Sequence, residues 1–76
     1  MYVGLDTLRP GMRAVVTDLD CSEELRRRMA DFALVPGTEV LCRCRSPRGD
    51  VMALQLRRTV VALRSSDARH IRARLC

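Results

Sequence analysis

The chain has 76 residues, a net charge of +5 and an apolar fraction of 47%. A chain of this length buries only about 60–65% of its unfolded surface, which suits one small core and excludes two domains or a deep substrate cavity. No apolar run approaches the roughly 18 residues of a membrane span, and the opening MYVGLDTLRPGM lacks the basic start of a signal peptide. All fourteen cations are arginine, the side chain suited to bidentate contact with carboxylate and phosphate.

Leu5 and Leu8 read as apolar anchors in a turn-like opening. Pro10-Gly11 then makes a turn, because Pro fixes φ at the first central position and Gly supplies φ > 0 at the second. Residues 12–19, with Ala14, Val15 and Val16 at the centre, form the first predicted strand. Asp18-Leu19-Asp20-Cys21 leads to a helix over 22–32. Ser22 is its expected N-cap, and Glu23 and Glu24 sit where the helix dipole favours negative charge. Leu25, Met29, Phe32 and Ala33 recur at i, i+4, i+7 and i+8, one apolar stripe. The stripe is expected to bury Leu25, Met29 and Phe32 against Leu54, Leu56 and Leu63. Glu23→Arg27 and Glu24→Arg28 are i,i+4 pairs in the favourable orientation, while Arg26 has no such partner.

Pro36-Gly37 repeats the turn device and opens a second strand over 40–45. On an unbroken strand Cys42 and Cys44 share a face about 6.7 Å apart, with Cys42 in the core and Cys44 at its margin. The breakers 46–50 precede a third strand in which Met52, Leu54 and Leu56 alternate with Ala53, Gln55 and Arg57. Arg57-Arg58-Thr59 is a short reversal into a fourth strand over 60–63, with Val61 and Leu63 inward. Ser65 or Ser66 caps one or two helical turns, Ala68 and Ile71 face the core, and 71–75 closes the sheet. The expected fold is mainly β: a single domain over 1–76, a small antiparallel barrel of about five strands, one helix between strands one and two covering or plugging it, and a short C-terminal helical turn.

The residues present in order are Leu8-x-Pro10-Gly11, then Arg26-Arg27-Arg28-Met29-x-x-Phe32-Ala33-Leu34-Val35-Pro36-Gly37-Thr38. Arg48-Gly49-Asp50 follows, and then Ala62-Leu63-Arg64 with Ala68-x-x-Ile71. Together they make the chain resemble the FeoA family over nearly its whole length. That resemblance implies a small cytoplasmic SH3-like barrel without catalytic residues. It also implies a partner, the large FeoB-type ferrous iron permease with its cytosolic G domain, and an accessory function in ferrous iron uptake. The same fold recurs as the C-terminal domain of DtxR-like iron repressors. Three departures stand out, because the family usually has Gly where Ala33 stands, Pro where Val51 stands and often Gly where Arg58 stands. The first implies a positive φ at Ala33, at the helix end.

An interaction module is therefore the leading functional expectation. Arg26, Arg27 and Arg28, projecting from the helix, are the candidate partner-binding residues. A nucleic-acid-binding module is the alternative that charge supports, and a detached domain of a DtxR-like repressor is the one that fold supports. The arginines run from Arg9 to Arg74 rather than clustering, and Tyr2 and Phe32 are the only aromatics. A single-strand platform needs more stacking surface, and a groove for proline-rich peptides needs more aromatic lining. No cofactor and no metal site are expected, because Cys21, Cys42, Cys44 and Cys76 lack paired zinc spacing and His70 stands alone. A lone His without a nearby nucleophile also argues against an enzyme.

Overall fold

The computed structural model describes all residues from Met1 to Cys76. Six antiparallel strands form one sheet: β1 (Tyr2–Gly4), β2 (Arg13–Leu19), β3 (Glu39–Arg45), β4 (Val51–Leu56), β5 (Thr59–Arg64) and β6 (Ile71–Leu75). The helices are α1 (Glu23–Asp31) between β2 and β3, and α2 (Ser65–Ala68) between β5 and β6. The strand order is β1-β6-β2-β3-β4-β5. β1 is the strand absent from the five expected. It has three residues, too few for an alternating pattern, and exists because Tyr2, Val3 and Gly4 pair with Arg74, Ala73 and Arg72.

The sheet wraps one core of seventeen buried residues, all apolar. Leu5 and Leu8 are both fully buried, as anchors should be, and Val61, Leu63, Ala68 and Ile71 face inward as expected. Gly11 (φ 92°) and Gly37 (φ 96°) both take the left-handed conformation that their turns require. Arg58 needs no glycine, since its φ is not positive.

α1 begins as its composition dictates. The Ser22 hydroxyl accepts the Leu25 N–H at 3.2 Å, satisfying one of the free donors of the first turn. Its end departs from the expected stripe. The helix stops at Asp31, Phe32 is the C-cap, and Ala33 turns the chain with φ 64°. Leu34 N–H donates to Met29 O at 2.8 Å and Ala33 N–H to Ala30 O at 2.9 Å. These two bonds define a Schellman motif, whose usual apolar contact joins the residues that are here Met29 and Leu34. Both are fully buried. Phe32, expected in the core, is 41% exposed, and Leu25 is only half buried. The left-handed residue reverses the chain before a third helical turn can deliver Phe32 inward, so Leu34 fills that place.

Two β-bulges set the remaining inward positions. In β2, Val16 pairs with Ala73 and Asp18 with Arg72, leaving Thr17 as the extra residue. In β3, Cys42 pairs with Leu54 and Cys44 with Ala53, leaving Arg43 unpaired. An inserted residue switches which side chains face the core. Cys44 therefore does not share the face of Cys42: Cys42 is buried and Cys44 exposed. Arg45, which an unbroken strand would place on the face opposite Cys42, instead stands opposite the buried Met52.

Arg45 uses that position to join segments from both ends of the sheet. Its Nη1 donates to Asp6 O at 2.6 Å and Leu8 O at 2.8 Å, in the turn after β1. Its Nη2 donates to Gly49 O at 3.0 Å and to Ser65 Oγ at 3.3 Å. Ser65 Oγ in turn donates to Gly49 O at 2.6 Å. This engagement explains why Ser65 does not cap α2, whose N-cap is Arg64 with no side-chain bond. α2 packs on the 3-10 turn Leu5–Thr7, so the ends of the sheet meet through this corner.

Arg45→Ala should cost about 3 kcal/mol in urea denaturation, because hydrogen bonds from a charged donor are each worth roughly 1.5–3 kcal/mol and are not additive. Arg45→Lys should recover less than half, since one ammonium cannot span the planar fork. An unchanged midpoint in both variants would remove Arg45 as the clasp. Ala33→Gly should raise stability by about 0.5–1 kcal/mol. Relief of a left-handed residue (roughly 1–2 kcal/mol) exceeds the unfolded-state entropy of Gly. A lower urea midpoint for Ala33→Gly would contradict it.

Candidate docking surface

The helical arginines are not equivalent. Arg26 Nη2 donates to Leu19 O at 3.0 Å, which ties α1 to the end of β2. Arg27 and Arg28 are exposed and make no hydrogen bond or ion pair. Their expected i,i+4 partners Glu23 and Glu24 stay beyond 4.0 Å, the only ion pair being Arg13–Glu39 at 4.0 Å. Both of those groups are more than half exposed, where such a pair contributes little. Arg27 and Arg28 line a shallow depression together with Glu23, Glu24 and Asp31.

A larger groove lies beside this depression. Phe32, Val35 and Pro36 line it together with Arg57 and Arg58 of the β4–β5 turn, and the buried Leu56 and Val61 lie among them. Phe32 and Val35 are each about 40% exposed, so apolar surface faces solvent here without a covering element. The Schellman turn makes this surface: by burying Leu34 it leaves Phe32 and Val35 outside. Sequence reasoning placed Arg57 and Arg58 in a plain reversal, and nothing in their local pattern relates them to Phe32.

Cys42 and His70 are engaged by the fold, whereas Cys44 and Cys76 are free thiols on the surface. Burial holds the Cys42 thiol above its ordinary pKa. Nearby Arg45 opposes that shift and Cys44 adds to it. The buried Sγ lies 3.8 Å from Leu8 O and 3.9 Å from Cys44 O, as a weak donor. A thiol held protonated in this way is a poor nucleophile. His70 binds the Asp20 backbone twice: its carbonyl accepts the Asp20 N–H at 2.7 Å, and its Nδ1 lies 3.1 Å from Asp20 O. No group of three His, Cys, Asp or Glu side chains converges as metal ligands.

A six-stranded antiparallel sheet, clasped at one corner around a wholly apolar core, defines a small SH3-like domain. The FeoA domain family model matches residues 3–75, and the chain belongs to that family, which is associated with iron uptake. A FeoA-like protein from Clostridium acetobutylicum is 30% identical, with a TM-score of 0.88 over 97% of this chain and 86% of that one. A FeoA protein from Chlorobium tepidum is 27% identical, with a TM-score of 0.88 over 96% of this chain and 70% of that one. A manganese-dependent transcriptional repressor shares the fold alone, at 17% identity and a TM-score of 0.90, over 99% of this chain and 41% of the repressor. No curated protein matches by sequence. No helix is long and apolar enough to cross a membrane.

Since Phe32 is partly solvated, Phe32→Ala should cost about 1 kcal/mol rather than the 3–5 kcal/mol of a core phenylalanine. A thermal melt showing a collapse of stability would return Phe32 to the core.

Proposed function

We propose that this domain is a cytoplasmic accessory protein of ferrous iron uptake, one that docks on the cytosolic G-domain region of a FeoB-type permease and modulates transport. Membership of the FeoA family over residues 3–75 is the observation that carries the proposal. The free cations of α1 support a docking mode. Arg27 and Arg28 have no partner within the chain and are available to carboxylates of another protein. Arg26 contributes indirectly, by fixing α1 against Leu19.

Capture of the purified permease cytosolic region by the immobilised domain tests this. The wild type should retain it, less so as salt rises, because exposed charges are screened over about 8–10 Å. Arg27→Glu with Arg28→Glu should weaken retention about tenfold while leaving the circular dichroism unchanged. Equal retention by the double variant would move the interface off α1, and no retention by the wild type would refute the docking.

A further inference from the structure

The groove beside α1 has the composition of a recognition site, and its charges indicate what it takes. Of the charged residues that line it, Arg13 and Glu39 face each other at 4.0 Å and offset one another. Asp31 lies one helical turn beyond Arg27 and Arg28, and lines their depression too. That leaves Arg57 and Arg58, adjacent at the tip of the β4–β5 turn, exposed and without a hydrogen bond or an ion pair. The same groove carries the exposed apolar surface of Phe32, Val35 and Pro36. The site thus offers contact area for an uncharged side chain and, beside it, two guanidinium groups for carboxylates.

Resting on the reading that the domain acts by docking, we infer that this groove seats a partner protein segment in which an apolar anchor side chain stands next to acidic residues. The anchor packs on Phe32 and Val35, and Arg57 and Arg58 hold the carboxylates. A second copy of this chain fits less well, because it brings its own charge of +5 to a cationic rim. A nucleic acid fits less well too. Phe32 is the only aromatic in the groove and Arg57 and Arg58 are its only free cations, where phosphate and base recognition calls for a longer row of cations and several stacking faces.

The test begins with short random-sequence displayed peptides, panned against the immobilised wild-type chain. Selected sequences should place Asp or Glu beside Leu, Ile, Val or Phe. A synthetic copy of a selected peptide should shift NMR signals of residues 32–41 and 55–61. Arg57→Glu with Arg58→Glu should weaken its binding about tenfold. Phe32→Ala should weaken it several-fold with the circular dichroism retained. Replacing the peptide's acids by their amides should lose as much as the arginine reversals. Selection without acidic enrichment, equal binding by the amide peptide, or shifts elsewhere on the sheet would overturn the inference. Self-association, or binding of a single-stranded DNA oligonucleotide, mapped to the same residues at comparable strength would overturn it as well. The two readings separate cleanly. Failure to select any peptide that maps to the groove, with capture of the permease region intact, overturns the groove assignment and leaves docking intact. Peptide binding without permease capture supports the groove and removes the permease as its partner.

Discussion

Arg45 holds together segments that the ladders of the sheet leave apart. A sheet ordered β1-β6-β2-β3-β4-β5 has two unpaired edges, and β1 and β5 make no ladder with one another. Arg45 reaches from β3 to the turn after β1, to the loop before β4 and to the helix after β5. Its charge is met by carbonyl oxygens and a hydroxyl rather than by a carboxylate. That arrangement spares the chain a carboxylate beside the half-buried guanidinium, whose desolvation would offset much of the attraction. The bulge at Arg43 is what makes it possible, because without an extra residue Arg45 would point to solvent and Cys44 inward.

Much of this architecture is legible in the sequence, and the gaps have physical causes. The two Pro-Gly turns, the Ser22 cap, the alternation of Met52, Leu54 and Leu56 and the inward pair Val61 and Leu63 are local patterns, and each appears where expected. Ala33 was legible only through the family's glycine, since nothing in its own chemistry asks for a left-handed backbone. The bulges break the inward-outward alternation of β2 and β3, and neither Thr17 nor Arg43 announces it, because the slip is defined only against the partner strand. The exchange of Phe32 for Leu34 follows from that same left-handed residue, which ends the helical period one turn early. β1 owes its existence to β6 and carries no signal of its own.

The candidate surface was half legible. A run of three arginines announces charge, but not that one guanidinium is spent on Leu19 O. The groove joins positions about twenty-five residues apart, Phe32 with Arg57 and Arg58, and such a juxtaposition exists only once β3 and β4 have paired. The core holds no buried polar or charged residue.

The position of β6 bears on how the domain comes into being during synthesis. β1 pairs with β6 alone, and β2 has β6 on one side and a short ladder to β3 on the other. The first-made strand therefore waits for the last-made one. A nascent chain can assemble the β3-β4-β5 meander early, yet it holds β1 and one edge of β2 open until residues 71–75 leave the ribosome. Long-range closure of this kind makes folding slower than the domain's size suggests and leaves unpaired strands exposed meanwhile. The unpaired main-chain edge of β2 is the segment such a delay leaves most vulnerable to pairing with a neighbouring chain.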